Sequence, residues 1–161
     1  MSFEDRLKQA IERGQQLGVD RLKVEQARTW SEEDCRRRHS QLRLSLSEYI
    51  ETCVKRLPDY FPGFRYETMY GELGWGGACA REDLRLSSGS RSNEYSRLEL
   101  TIRPYSNNLR VVELAGKGTI RNKELFSRSF FEPVQEAEEP KFKQLIDAWV
   151  LEYAEQYAAK G

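Results

Sequence analysis

Cys35 and His39 stand four residues apart in the stretch CRRRH, one turn apart if that stretch is helical. Side chains at this spacing share a helix face. A histidine beside a cysteine can depress the thiol pKa and make it a nucleophile. The three cysteines, Cys35, Cys53 and Cys79, together with the one histidine also match the ligand count of a structural zinc site. Spacing opposes the metal: residues 35 and 53 on one helix lie about 27 Å apart at 1.5 Å per residue. Catalysis by Cys35 or by a Ser-His-Asp set would need His39 in a cleft, whereas its periodicity puts it on a packing seam. Among 26 acidic residues no carboxylate pair stands out. The sequence points to no catalytic residue, no metal ligand and no cofactor, and the reading leans away from an enzyme.

Four glycines surround Trp75 in YGELGWGGACARED, residues 70–83. A phosphate loop needs glycine amides converging at a helix start, with a Lys-Ser or Lys-Thr pair after them. Here Gly74, Gly76 and Gly77 fall between two strand patterns, so the expectation is a hairpin connection or bulge. Trp75 is the one residue of that loop suited to anchoring a ligand or partner. Arginines are the third candidate. Arg36, Arg37 and Arg38 fan around a helix rather than sharing a face, and Glu32, Glu33 and Asp34 are placed to pair with them. Arg65, Arg81, Arg85, Arg97 and Arg103 are expected on a polar sheet face, as an anion-facing surface if they are not balanced by Glu67, Asp83 and Glu99.

These residues need elements to hold them. Ser2 with Asp5 caps a first helix on which Phe3, Leu7, Ala10, Ile11 and Leu17 recur at helical steps, with Gly18 as its expected stop. The stretch VDRLKVEQARTW is read as helical. Ser31 before three acids opens the next helix. There Cys35, His39, Leu42, Leu46, Tyr49, Cys53 and Leu57 make a heptad-like seam, widened by Ile50 and Val54 and ended by Pro58. From Phe64 the period becomes two. Five strands are expected, with SSGSRSN, YSNN and AGKG as turns, the last leading into a strand over 119–131. Connections this short require antiparallel pairing. After an acidic linker, Phe142, Leu145, Ile146, Trp149, Tyr153 and Tyr157 mark a helix over 140–158.

The expected class is α+β: a helical N-terminal third, a five-stranded antiparallel meander, and a long C-terminal helix packed on the sheet. The 161 residues are read as a single domain, in which 1–30 is helical and free to project, 31–57 is one long helix and 63–131 is the sheet. Basic and acidic residues balance at 26 each, without the basic excess that nucleic-acid binding usually needs. No apolar run reaches membrane-spanning length, and the start does not resemble a signal peptide. An odd set of cysteines at unrelated spacings gives no disulfide framework, so a reducing cytoplasmic setting is expected.

Three functions fit. The first is a non-enzymatic interaction or scaffold module that associates through its N-terminal helices, with itself as a homodimer or with another protein, and its seam residues Cys35, His39, Leu42, Leu46, Tyr49 and Cys53 as the contact. The second is a small-molecule carrier. The element order resembles that of helix-grip folds, and Phe64, Tyr66, Tyr70, Phe126, Phe130, Phe142 and Trp149 would line its cavity. Nucleic-acid binding through the arginines ranks last.

Overall fold

A computed structural model describes residues 2–28 and 30–160, apart from the side chains of 22–28 and 87. The helices are α1 (Phe3–Arg28), α2 (Glu32–Val54), the short α3 (Leu57–Tyr60) and α4 (Glu139–Lys160). The strands are β1 (Arg65–Met69), β2 (Trp75–Ser87), β3 (Ser90–Ile102), β4 (Val111–Ile120) and β5 (Lys123–Pro133). They form one antiparallel sheet in sequence order, the meander that the short turns require.

Both helix starts follow from their caps. Ser2 Oγ accepts from the Asp5 amide at 3.3 Å, and Ser31 Oγ accepts from the Asp34 amide at 3.0 Å. The acids after Ser31 then pair one turn on, Glu32 with Arg36 at 2.7 Å and Glu33 with Arg37 at 3.3 Å. The helix α1 does not stop at Gly18 but runs to Arg28; residues 1 and 29 of the expected 1–30 helical segment lie outside the described residues.

Helices α2 and α4 cover one face of the sheet, and a single core joins them. Across that face run rows of paired residues: Trp75, Ile102, Leu114 and Phe130; then Gly77, Leu100, Gly116 and Arg128; then Cys79, Leu98, Gly118 and Phe126. From above come Leu42, Leu46, Ile50 and Val54 of α2 and Phe142, Ile146, Trp149 and Tyr153 of α4, all buried.

The AGKG stretch is not a turn. Residues 115–118 lie inside β4, which continues to Ile120 and turns at Arg121–Asn122, both at positive φ. Its glycines are there because α4 sits directly on them: a Cβ at Gly116 would lie 2.7 Å from the Trp149 ring, and one at Gly118 would lie 3.0 Å from Tyr153. SSGSRSN is also mostly strand. Its turn is Ser88–Gly89 alone, a two-residue hairpin with φ of 46° and 82°. The resulting β2–β3 hairpin reaches beyond β1 and is braced by Asn122, which accepts from the Tyr95 amide at 2.9 Å and donates to the Asn93 carbonyl at 2.8 Å.

Candidate functional site

The seam of α2 faces inward. Cys35, His39, Leu42 and Leu46 are at most 1% exposed and pack into the core rather than toward a second chain. Beyond Leu46 the buried line continues through Ile50, Val54 and Leu57, leaving Tyr49 and Cys53 half-buried at its flank. The reason is the helical period: a straight helix turns every 3.6 residues, so a strict heptad drifts off the contact line within two or three turns. The heptad reading of Tyr49 and Cys53 is therefore corrected to a flank position facing α4. There Tyr49 donates to Asp147 Oδ1 at 2.5 Å, with the Cys53 sulfur 3.7 Å from the same oxygen. The hydrogen bond to Asp147 raises the Tyr49 pKa, and burial raises that of Cys53. Ser45 donates to Glu139 farther along the same boundary.

His39 is a core residue. Its ring meets Tyr105 edge-on at 5.4 Å and hydrogen-bonds the Arg103 backbone, while Nε2 has no hydrogen-bond partner among the described residues. Burial, then the nearby Arg43 charge, lowers its pKa, so the ring is held neutral. Cys35 lies equally deep, 0% exposed. Neither side chain can meet a substrate in this packing. Cys35 and Cys53 occupy opposite ends of α2 while Cys79 lies in β2. Among the described residues no three His, Cys, Asp or Glu side chains converge as metal ligands do.

The glycine stretch divides in two. Gly71 and Gly74, at φ of 136° and 131°, close the turn with a 3.2 Å bond from the Gly74 amide to the Gly71 carbonyl. Gly76 and Gly77 already belong to β2, with Tyr66 packed where a Gly77 side chain would stand. Trp75 is the first residue of β2, half-buried, with the Arg43 guanidinium 4.1 Å above its ring. The loop offers Tyr70 and Leu73 to solvent instead, 79% and 69% exposed. The expectation that Tyr70 lines an apolar cavity is therefore corrected, since its ring stands in solvent ahead of the turn; Leu73 is not singled out by the sequence.

The five sheet arginines do not share a face. Arg65, Arg97 and Arg103 lie on the uncovered side, whereas Arg81 and Arg85 fall in register with Cys79 on the helix-covered side, where Arg81 donates to the Pro62 carbonyl at 2.7 Å. Four of them are paired with acids: Arg97 with Glu67 at 2.9 Å and Glu99 at 3.4 Å, Arg103 with Glu113 at 3.6 Å, Arg81 with Asp83 at 2.8 Å, and Arg85 with Glu94 at 3.0 Å. A depression of about 180 Å³ on the uncovered face, lined in part by Met69, Glu99, Thr101, Arg103 and Lys117, carries both signs of charge. This surface is balanced rather than anion-selective.

The helix α1 is different from everything else in the molecule. Phe3, Leu7, Ile11 and Leu17 are 76%, 47%, 51% and 66% exposed, and none belongs to the core. With Ala10, Gly14 and Gly18 they fall within a band about 120° wide at 100° per residue. A Cβ at Gly14 or Gly18 would meet nothing within 4 Å, so no neighbour among the described residues calls for glycine there. Each lowers helix stability by about 1 kcal/mol relative to alanine. The band is an apolar face without a partner among the described residues.

Comparison with protein-family models, with curated proteins and with solved structures gives no match to this chain. Among the described residues no helix is long and apolar enough to cross a membrane.

Proposed function

We propose that the chain is a non-enzymatic protein-interaction module that associates through its N-terminal helical segment. The observation that carries this reading is the contrast between the stripes: that of α2 is closed against the sheet and α4, while that of α1 is open along its described length. The working contact moves accordingly from the α2 seam to α1. A solvated helix with two glycines is marginal by itself, because most helical stability in proteins comes from packing an apolar face. The helix α1 is thus an element that a partner completes, either a second copy or another protein. Three cysteines without disulfides, two of them buried, support a reducing cytoplasmic setting.

The carrier reading has less support. The aromatic side chains that would line its cavity fill the space with one another: Phe64 against Tyr153 and Tyr157, Phe126 against Trp149, and Phe130 against Phe142. Trp149 also presses on Gly116 where a ligand would need room.

Hydrogen exchange separates a helix held by a partner from one held by its own body. At a concentration where the chain is monomeric, amides of residues 3–21 should exchange far faster than those of α2. Protection equal to that of α2 in the monomer would contradict the proposal.

A further inference from the structure

Resting on the α1 reading, the geometry points to a second copy of this chain as the occupant of the α1 stripe, paired antiparallel about its middle. The middle of the stripe is large at both ends and small at the centre, with Phe3 and Leu7, then Ala10 and Gly14, then Leu17, while Ile11 and Gly18 run along one edge of it. Antiparallel pairing centred on residue 12 matches this profile to itself. Leu7 packs on the partner subunit's Leu17, Ala10 meets the partner subunit's Gly14, and Ile11 meets the partner subunit's Ile11. Gly14, which no described neighbour requires, faces the partner subunit's Ala10 in the two central layers and gives the backbones room there, while Gly18 lies near the end of the overlap.

Charge selects the direction. In this register Arg6 flanks the core beside the partner subunit's Asp20, twice by symmetry, and Phe3 faces the stem of the partner subunit's Arg21. Against this, Arg13 meets the partner subunit's Arg13 near the axis, in solvent where salt screens the repulsion. A parallel register sets Arg6 beside the partner subunit's Ile11 and Arg13 beside the partner subunit's Gly18, with no opposite charge at either. Antiparallel helix dipoles add to the preference.

The overlap runs over residues 3–21, about 28 Å at 1.5 Å per residue. Residues 22–28 remain as helical spacers that keep the two bodies at opposite ends. Phe3, Leu7, Ala10, Ile11 and Leu17 from each copy, at about 100 Å² apiece, bury on the order of 1,000 Å² in total, the lower edge of stable interfaces. The expected dimer is reversible, with a Kd of about micromolar order.

Sedimentation equilibrium of the full chain at low salt tests this, with thermal melts confirming that each variant keeps its folded body. The expected result is a dimer that Leu7→Asp abolishes. Arg6→Asp or Asp20→Arg alone should weaken it about threefold to tenfold, and the two together in one chain should restore it. A chain monomeric at every concentration overturns the second-copy inference while leaving the α1 reading to the hydrogen-exchange test. A dimer indifferent to Leu7→Asp uses another surface and overturns both. A dimer broken by Leu7→Asp but not restored by the double charge swap overturns the antiparallel register.

Discussion

The helices α1 and α2 begin alike, each more than 20 residues long, capped by a serine and carrying an apolar stripe. One stripe is sealed and the other is open. The difference does not lie in the stripes as patterns. It lies in what the rest of the chain supplies: β2, β3 and β4 provide an apolar floor for α2, and α4 provides a wall through Tyr49 and Asp147, whereas among the described residues nothing covers the stripe of α1. Helical periodicity states that a face needs covering. It does not state by what.

The largest effect that can break the comparison is a truncation series. Leu46→Ala removes a fully buried side chain and should lower stability by about 2–5 kcal/mol in urea melts. Leu7→Ala in the dilute chain should stay within about 0.5 kcal/mol. Equal losses would mean that α1 is part of the folded body. The glycines sharpen the same contrast. Gly116→Ala forces Trp149 off β4 and should destabilise by about 1–3 kcal/mol, as overpacking does. Gly14→Ala should instead raise the helical signal of α1 by circular dichroism and leave the main melting transition unmoved, since alanine favours a helix by about 1 kcal/mol.

These glycines also show where sequence reading succeeds and fails. The starts of α2 and α4, the stripe of α4 and the order of the meander could all be read, because caps and periods are local. AGKG could not, because a glycine in a strand looks like a breaker until Trp149 and Tyr153, more than 30 residues away, are known to rest on it. The arginines fared in the same way: alternation along each strand was legible, but which strand face the helices would cover depended on the register that joins Arg81 to Ser96 and Arg97 to Ala80. The α2 seam was legible as a seam, but the sequence left open whether the chain's own sheet or a second chain covers it.

Smaller effects probe the wall that closes α2. Tyr49→Phe deletes the hydrogen bond to Asp147 and should reduce stability by about 0.5–1.5 kcal/mol by thermal melt, with no change in solution mass. A change in mass would return this flank to the list of contact surfaces. Acid acts on the same packing through His39, whose folded pKa lies below its ordinary 6.5 because burial and Arg43 disfavour the charged ring. The unfolded chain therefore binds the proton more readily. The contribution of His39 is fully present above pH 6.5 and is lost as the pH falls below it toward the folded pKa. Tyr105 and the Arg103 backbone, the other groups facing the ring, offer no negative charge to offset this. His39→Gln should flatten the stability profile below pH 6.5, and an unchanged slope would assign it to other groups.

The most direct test of the account is the solution mass of two chains by light scattering, the full chain and one beginning at Trp30. Among the described residues every buried core residue lies after Trp30, so the shorter chain should fold with the same melting transition and remain monomeric at all concentrations, while the full chain associates as concentration rises. A shorter chain that associates equally, or that fails to fold, would contradict the claim that α2, α4 and the sheet form a closed body and that α1 carries the interaction.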